Sequence, residues 1–305
     1  MGSPDFAVES LKVLKHSRHE IVGVISQPDK PKGRGYAMVP TAVKEFSLTA
    51  GFPVETPPTL KDGAILPLLE AWQPDCIVVI AYGKILPEYV LSYPKYGCIN
   101  VHASLLPKYQ GAAPIHFVLI NGEKETGITT MKMDCGIDTG EILLKKSTPI
   151  LPSDDAGILH DRLAEMGASL LLETLDGLEK GEIVPEKQTG PSNYVPKIDN
   201  AVKKLDFSQT AENIVNRIRG LSPFPTAFCF FGGKKMKIYQ AEVLDSVPEE
   251  KLSIPVGRLI SEKELILRAG EGAVRILWLA PEGKKRMSGE DFLRGIRDKS
   301  AVLFE

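Results

Sequence analysis

Residues 75–102 read DCIVVIAYGKILPEYVLSYPKYGCINVH, with a short apolar run at each end. The first run, residues 75–81, is continuous and rich in β-branched side chains, and the second covers residues 97–102. A continuous apolar run is typical of a parallel strand that is buried on both faces. A third run of this kind, EIVGVIS, lies upstream at residues 20–26. These runs predict strands of a parallel sheet.

Helical patterns separate the predicted strands. Helices are expected over residues 40–50 and 61–72, and again over residues 113–120, ahead of a further strand at residues 127–133. A longer helical pattern follows over residues 154–180. Regular alternation of strands and helices predicts an open α/β sheet, whose ligands bind at the carboxyl ends of the strands.

The last third of the chain has a different pattern. Residues 182–203 are rich in Pro, Gly, Ser and Asn and predict a linker. We therefore expect a first domain at residues 1–181 and a second at residues 204–305. After a predicted helix at residues 209–219, the sequence predicts closely spaced strands at residues 227–231, 235–241, 257–260, 264–268 and 274–279. Such spacing indicates a small β-barrel or sandwich.

Composition excludes several classes of protein. Of the 305 residues, 43% are apolar and 25% are charged, the balance of a globular chain rather than a disordered or fibrous one. No apolar run approaches the roughly 20 residues that a membrane helix needs. The four cysteines form no CxxC pair, which predicts a reducing compartment and hence the cytoplasm. The net charge of −2 predicts no particular partner, although residues 200–305 carry an excess of basic side chains.

The strongest local feature is GCINVHASLLPKYQGAAPI, residues 97–115. Asn100 and His102 are two apart on the predicted strand, so their side chains share one face at its carboxyl end. An amide donor beside an imidazole suits acyl transfer, since Asn100 can stabilise an oxyanion while His102 donates a hydrogen bond or moves a proton. The alternative is that both side chains satisfy backbone groups of the following loop.

A second feature is MDCGIDTGEIL, residues 133–143, which places Asp138 in a turn between two strands. Asp138 can orient or charge His102, or hold a water that relays protons. The alternative is an Asx-type turn in which Asp138 caps its own loop. Since the chain has no GxSxG elbow, we expect direct transfer between two bound substrates rather than a covalent acyl-enzyme. Its histidines have no supported metal-ligand spacing, and no metal is predicted.

A third feature is the Pro- and Gly-rich stretch SQPDKPKGRGYAMVP, residues 26–40, which predicts a loop. It clusters Lys30, Lys32 and Arg34, which suits a phosphate backbone, although a solvated loop has the same composition. Near the start, residues 2–5 predict a turn into a helix but lack the GxGxxG spacing of dinucleotide-binding sites.

The chain as a whole resembles the methionyl-tRNA formyltransferase family of folate-dependent formyltransferases. The resemblance is carried, in order, by GSPDFAVESL, QPDKPKGRG, AYGKILP, NVHASLLPKYQGAAPI, MDCGIDTG, SPFPTAF and GKKRMSGEDFL. It implies a Rossmann-like doubly wound parallel sheet followed by an oligonucleotide-binding-like barrel. It also implies an enzyme of translation initiation that transfers a formyl group from 10-formyltetrahydrofolate to initiator methionyl-tRNA. The sequence has no heptad pattern and no obvious interface patch, which favours a monomer.

The resemblance also implies site residues. Asn100, His102 and Asp138 match the catalytic trio, in a mechanism without metal or covalent intermediate. The positions that match folate-contacting segments are Gly83, Lys84, Ile85, Leu86, Ser104, Leu105, Leu106 and Pro107. The positions expected to contact tRNA are Lys30, Lys32, Arg34, Lys234, Lys235, Lys284, Lys285 and Arg286, with Lys237 nearby.

The chain departs from the family pattern in two places. Relatives have a strand before the Gly-Ser/Thr-Pro turn, whereas Met1 directly precedes that turn here. We therefore expect a natural start upstream, and a gap between neighbouring strands in the chain as given. Gln110 stands where arginine is common, and the loop after Arg34 lacks the lysines of many relatives. Both changes remove positive charge, which either weakens tRNA binding or shifts its contacts to the basic residues of the second domain. The alternative for those lysines is a solvated strand edge that discourages aggregation.

Other functions remain open at this point. Glycinamide ribonucleotide or an amino-sugar nucleotide could be the formyl acceptor, and a formyl-folate hydrolase would use a similar trio. A catalytically idle RNA-binding module would need the basic barrel but not all three of Asn100, His102 and Asp138.

Overall fold

The computed structural model describes residues 1–32, 37–244, 247–251 and 253–305. The chain folds as two compact units. The N-terminal unit comprises Met1–Gly111, Thr126–Thr148 and His160–Tyr194. The C-terminal unit comprises Ala112–Glu125, Pro149–Leu159 and Val195–Glu305.

The helices and strands of the described residues are numbered in chain order. The strands are β1 (Val24–Ile25), β2 (Lys30–Lys32), β3 (Ala37–Val39), β4 (Val54–Glu55), β5 (Ile77–Val79), β6 (Cys98–His102), β7 (Gln110–Gly111), β8 (Glu125–Lys132), β9 (Glu141–Pro149), β10 (Tyr194–Val195), β11 (Ala227–Phe231), β12 (Lys234–Leu244), β13 (Ile266–Arg268), β14 (Ala273–Pro281) and β15 (Met287–Ser288). The α-helices are α1 (Phe6–Lys15), α2 (Ala42–Ala50), α3 (Leu66–Trp72), α4 (Glu88–Leu91), α5 (Pro114–Ile120), α6 (Ala156–Lys180), α7 (Asn200–Lys203), α8 (Ala211–Leu221) and α9 (Gly289–Arg294).

The main sheet of the N-terminal unit has the strand order β5-β6-β8-β9, and β1 and β4 form a separate parallel pair. β5 and β6 are parallel, with Val79 beside Asn100. The predicted α/β alternation is therefore confirmed. β8 differs from the prediction of an all-parallel sheet, because it pairs with β6 in the antiparallel direction. Its interior residues are all buried, so its burial pattern carries no sign of its direction.

Helix α6 fixes the position of β6 from one side of the sheet. Leu163, Leu170 and Leu171 are buried along one stripe of the helix. Gly167 brings the helix close to the sheet, since a Cβ there would lie 3.0 Å from Val101 Cγ1. A buried hydrogen bond of 2.8 Å joins the Thr130 and Thr174 hydroxyls. Strand β6 is thus held firmly at the centre of the sheet.

Residues Met1 and Gly2 lie between the β1-β4 pair and the main sheet. The Gly2 amide donates to Ile25 O at 3.1 Å, and the Ile80 amide donates to Met1 O at 2.9 Å. Beside them lies a cavity of about 300 Å³, whose lining includes residues of helix α1, of β1 and β5, and of the segments that precede these two strands. This cavity occupies the place where the sequence predicts a gap between neighbouring strands.

The C-terminal unit contains a curled antiparallel sheet with the order β11-β12-β14-β13, and β15 pairs with β14. Register shifts between Ile238 and Ala241 bend β12, as β-bulges do. Helix α8 packs on the sheet through Ile214, Ile218 and Leu221, each buried. The predicted small barrel is confirmed as this half-barrel. The strand predicted at residues 257–260 is wrong, because Arg258 and Leu259 make only isolated bridges.

The division at residues 1–181, 182–203 and 204–305 stays a prediction. The two compact units change over at Tyr194–Val195, inside the predicted linker, and the C-terminal unit also includes residues 112–125 and 149–159. Within the described ranges, no helix combines the length and the apolar character needed to cross a membrane.

Candidate active site

Strand β6 carries Asn100 and His102 to the carboxyl end of the sheet. His102 is 6% exposed, and Asn100 is half-buried beside Val79 of β5 and Met131 of β8. Because side chains alternate between the two faces of a strand, residues two apart such as these lie on the same face. Among the described residues, the Asn100 amide has no side-chain hydrogen bond, which leaves its donors available to a ligand.

The two nitrogens of the His102 ring face different partners. Its Nε2 lies 2.9 Å from Tyr109 O, and this bond requires the proton on Nε2 because a carbonyl oxygen only accepts. Its Nδ1 lies 3.6 Å from Asp138 Oδ2. Since Nε2 is committed to Tyr109, Nδ1 is the nitrogen that meets Asp138 or a ligand.

The loop at residues 134–140 presents Asp138 to this ring. Asp134 Oδ1 accepts from the Gly136 amide at 2.9 Å and from Thr139 Oγ1 at 2.8 Å. Asp134, rather than Asp138, therefore caps the loop. Asp138 has a φ of 55°, and its Oδ2 accepts from the Gly111 amide at 2.8 Å. The carboxylate is thus oriented by the chain before any ligand binds.

The segment after β6 forms a tight turn around Thr129. Thr129 Oγ1 donates to Ser104 O at 2.7 Å and accepts from the Leu106 amide at 3.1 Å. The Ser104 hydroxyl donates to Lys108 O at 2.6 Å, and the bond between Leu106 and Pro107 is cis. Leu105 remains half-buried, and Leu106 is buried. The turn therefore offers backbone groups and apolar surface next to His102.

The segment after β5 lies at the same edge of the sheet, because β5 and β6 are parallel neighbours. Gln27 Nε2 donates to Tyr82 O at 2.6 Å, and Gly83 has a φ of 77°. Lys84 Nζ donates to Pro57 O and Pro58 O at 3.0 and 2.9 Å, so this ammonium holds the loop together.

Ile85 is 79% exposed, whereas Leu86 is buried. The buried Tyr82 hydroxyl has no hydrogen-bond partner among the described residues, and burial raises the pKa of Tyr82 to about 12. An exposed isoleucine and an unsatisfied buried hydroxyl at this edge are compatible with a ligand that has both apolar and polar groups.

The two ends of the predicted basic loop pair as antiparallel strands, with Lys30 beside Val39 and Lys32 beside Ala37. Exposed Lys30 donates to Gln27 Oε1 at 3.1 Å. The Lys32 side chain and Arg34 lie outside the described residues.

In the C-terminal unit the other predicted basic residues gather at one edge of the half-barrel. The Glu282 amide donates to Lys235 O at 2.9 Å, which joins the start of β12 to the turn that contains Lys284 and Lys285. Lys235 Nζ lies 3.7 Å from the centre of the Phe228 ring. Arg286 stacks at 5.0 Å over both Tyr239 and Trp278. Lys234, Lys284 and Lys285 are exposed.

Three further residues bond to the site, and no pattern in the sequence predicts these contacts. Gln188 and Gln110 bond to the backbone of Asp138, and Asn193 bonds to Tyr109. Gln188 and Asn193 lie in the stretch whose Pro and Gly content predicts a linker, and amide side chains in such a stretch have no distinguishing pattern.

One group of side chains outside the site has the spacing of metal ligands. His19, Asp176 and Glu179 bring their ligand atoms within 4.8 Å of one another. Arg18 Nη2 lies 2.9 Å from Asp176 Oδ1 and 2.6 Å from Glu179 Oε2. The Arg18 guanidinium forms ion pairs with both carboxylates, so the arrangement is an exposed ion-pair cluster.

Comparison with known proteins agrees with this geometry. Residues 1–175 match the family model described as formyl transferase, and residues 197–297 match the model of the formyl transferase C-terminal domain. The methionyl-tRNA formyltransferase of Caldanaerobacter subterraneus subsp. tengcongensis is 48% identical over 97% of this chain and 95% of its own. That of Alkaliphilus oremlandii is 48% identical with the same coverage.

Solved structures share the fold. The sugar 3N-formyl transferase WlaRD, solved in the presence of dTDP and 5-N-formyl-THF, has a TM-score of 0.66 at 22% identity, over 93% of this chain and 97% of its own. The Helicobacter canadensis N-formyltransferase, solved with folinic acid and dTDP-3-aminofucose, has a TM-score of 0.66 at 21% identity, over 90% and 96%. The resemblance inferred from the motifs is confirmed, and the chain belongs to the formyl transferase family.

Proposed function

We propose that this chain transfers the formyl group of 10-formyltetrahydrofolate to the α-amine of methionine on initiator methionyl-tRNA, in translation initiation. One observation carries the choice of acceptor. Relatives between 41% and 48% identical, matched over nearly the whole chain, are named methionyl-tRNA formyltransferase. The match extends through the C-terminal domain, which is where an acceptor as large as tRNA requires additional binding surface.

Asn100, His102 and Asp138 are the catalytic residues in this proposal. The neutral amine attacks the formyl carbon, a C–N bond to methionine forms, and the bond from the formyl carbon to N10 of the folate breaks. The Asn100 amide and protonated Nδ1 of His102 stabilise the oxyanion that develops in between. Asp138 supports the imidazolium and a water that carries the amine proton toward N10. The one proton that the amine loses is thereby transferred to N10, the leaving nitrogen.

The residues present at the sheet edge fit a formyl-folate donor. Gly83, Lys84, Ile85 and Leu86 form one wall in the proposal, and Ser104, Leu105, Leu106 and Pro107 form the other. Both segments offer backbone groups and apolar side chains, which suit a flat heteroaromatic ring with polar edges. Folate compounds bound to proteins of the same fold support this donor. The step we propose needs no metal ion.

Basic side chains of both units hold the tRNA in this proposal. Lys30, Lys32 and Arg34 lie on the loop near the acceptor end, and Lys234, Lys235, Lys284, Lys285 and Arg286 contact the phosphate backbone. We assign catalysis to residues 1–181, the connection to 182–203 and tRNA binding to 204–305. We also place the protein in the cytoplasm as a monomer, where charged tRNA and formyl-folate are both present.

The test is an acceptor assay with the purified full chain and 10-formyltetrahydrofolate. Parallel reactions contain initiator methionyl-tRNA, glycinamide ribonucleotide or a dTDP-linked amino sugar, and uncharged initiator tRNA is the control that lacks the amine. Formyl-methionine formed only with the charged tRNA supports the proposal.

Each other outcome contradicts the proposal in a different way. Transfer to the ribonucleotide or the sugar alone assigns a different acceptor. Release of formate without any acceptor-dependent product indicates a hydrolase. Tight tRNA binding with no turnover indicates an RNA-binding module.

A further inference from the structure

The segment at residues 186–193 runs along the edge of the site. Glu186 and Ile142 of β9 exchange two backbone hydrogen bonds, of 2.7 and 2.9 Å, at the start of the segment. At its end, Asn193 O accepts from the Gln110 amide at 3.0 Å. The segment is therefore anchored at both ends, to strand β9, which follows Asp138 in the chain, and to strand β7, which follows His102.

Gln188 lies in the middle of this segment and holds the Asp138 turn. Its Nε2 donates to Asp138 O at 2.7 Å and to Gly140 O at 2.9 Å. Its Oε1 accepts from Gln110 Nε2 at 3.0 Å, and the same Gln110 nitrogen donates to Asp138 O at 3.0 Å. Every amide proton of the two glutamine side chains is thus used, and Asp138 O accepts two bonds.

These bonds act on a backbone conformation that is unfavourable by itself. A left-handed φ brings the Cβ of a residue close to a backbone oxygen, although Asp tolerates this better than most residues. With a φ of 55°, Asp138 aims Oδ2 at the Gly111 amide and at His102 Nδ1. The Gln188 and Gln110 amides compensate by hydrogen bonding to the Asp138 carbonyl.

Asn193 holds the other partner of His102. Its Oδ1 accepts from the Tyr109 amide at 2.6 Å. Tyr109 also has a left-handed φ of 60°, and its carbonyl accepts from His102 Nε2 at 2.9 Å. One segment therefore positions the groups that meet both nitrogens of the imidazole.

We propose that Gln188 and Asn193 are positioning residues for formyl transfer, Gln188 acting through Asp138 and Asn193 acting through Tyr109 on His102. The inference rests on the proposed function, since it assigns these residues to the transfer step. A misplacement of catalytic groups by about 1 Å can reduce a rate roughly 10²-fold. We expect a loss of about 10- to 100-fold in kcat for either residue, with the KM for the folate unchanged.

The experiment compares Gln188→Ala and Asn193→Ala with Lys187→Ala, a neighbour whose exposed side chain makes none of these bonds. Initial rates are measured with 10-formyltetrahydrofolate and initiator methionyl-tRNA. Binding of 5-formyltetrahydrofolate and the thermal midpoint are measured on the same preparations. We expect the kcat of the first two variants to fall, and binding and midpoint to stay close to those of the Lys187 control.

A double-mutant cycle separates positioning from mere structural support. Adding Gln188→Ala to Asp138→Asn is expected to cause no further loss, because Gln188 acts through the Asp138 carboxylate. Adding Asn193→Ala to His102→Ala is also expected to cause no further loss of kcat, because Asn193 acts through His102. If Gln188→Ala lowers the folded fraction, Gln188→Glu keeps the side-chain size but removes both donors, and the same loss of kcat is expected.

Two results overturn the inference while leaving the proposed function intact. One is a wild-type chain that formylates the tRNA and a Gln188→Ala variant whose kcat stays within about twofold of it. The other is a full additional loss in the Asp138→Asn background, which means that Gln188 acts elsewhere. Absence of transfer by the wild-type chain contradicts the proposed function itself, so the two failures are distinguishable.

Discussion

The imidazole of His102 connects the two parts of the candidate mechanism, because one nitrogen bonds to Tyr109 and the other faces Asp138. Loss of general acid–base groups typically reduces rates by roughly 10²- to 10⁴-fold. We expect His102→Ala and Asp138→Ala each to lower kcat by at least about 10²-fold, while 5-formyltetrahydrofolate still binds. Single-turnover assays and equilibrium binding check both parts.

The matched control for these variants is His16→Ala, since His16 is exposed at the end of α1. Turnover equal to the wild type in either site variant contradicts the role of that residue. Loss of folate binding in the same variant indicates a binding role instead.

Cysteine reactivity provides a second prediction at the scale of single residues. Burial raises the pKa of Cys76 and of Cys98 to about 12, so only about one thiol in 10⁴ is ionised at pH 8. Buried Cys229 is shifted in the same direction for the same reason, since burial raises its pKa as well. Cys135 is exposed, in the loop that carries Asp138. We expect iodoacetamide to alkylate Cys135 first.

Peptide mapping by mass spectrometry identifies the labelled cysteine. If the loop borders the folate site, saturating 5-formyltetrahydrofolate slows the alkylation of Cys135. Faster labelling of Cys98 or Cys229 contradicts the burial on which the prediction depends.

The sequence predicts the relative positions of site residues that are close together in the chain. The sequence predicts that Asn100 and His102 share a face, because strand residues two apart always do. The approach of Asp138 to His102 rests on bonds between segments distant in the chain, and the motif alone leaves an Asx turn as an alternative. Asp134 makes that turn instead. No local pattern predicts Gln188, since its role arises only when the linker-like segment folds back onto the site.

At the scale of elements, the loop at residues 134–140 depends on a close approach that only glycine permits. A Cβ on Gly140 would lie 1.8 Å from Lys132 O. We expect Gly140→Ala to displace the loop, to lower stability by about 1–3 kcal/mol as overpacking does, and to reduce transfer at least about tenfold. Urea unfolding and initial rates measure the two effects.

Gly295→Ala is the matched control, since its Cβ would have ordinary contacts of 3.4 Å and more and its φ of −78° suits any residue. Wild-type rates in Gly140→Ala contradict the view that this loop must be held closed for catalysis.

The sequence predicts where elements occur better than how they pair. Strand 227–231 and helix 113–120 are predicted correctly to within a residue, because apolar periodicity and a proline at the helix start are local signals. The sequence does not predict the direction of β8, since burial on both faces occurs in parallel and antiparallel strands alike. Residues 257–260 have strand composition, but Gly257 has a φ of 76° and only isolated bridges follow it.

At the scale of the whole molecule, charge is distributed unevenly although the net charge is only −2. Basic side chains gather at one edge of the half-barrel, and two of them are partly committed to aromatic rings, Lys235 to Phe228 and Arg286 to Trp278. The exposed cations there are therefore the ones most available to phosphates. A small net charge and a local basic edge together predict that acceptor binding responds to salt far more than folate binding does.

Neutralising this edge tests that expectation. The triple variant Lys234→Gln, Lys284→Gln, Lys285→Gln removes three exposed cations without disturbing the two stacked ones. Each phosphate contact that is lost lowers the slope of log Kd against log salt by about 0.7–0.9, so the slope for methionyl-tRNA should fall by about 2. Filter binding between about 50 and 200 mM salt measures it, with the KM for 10-formyltetrahydrofolate followed in parallel.

The control changes the net charge equally at other places on the surface. Lys12→Gln, Lys61→Gln, Lys180→Gln removes three exposed cations from the N-terminal unit. If the whole molecule attracts tRNA through its net charge, both triple variants lose affinity alike. If phosphates contact the edge of the half-barrel, only the first variant loses affinity and slope, and its kcat at saturating tRNA stays at the wild-type value because the catalytic residues are untouched. Equal slopes in all three proteins would assign tRNA binding to another surface.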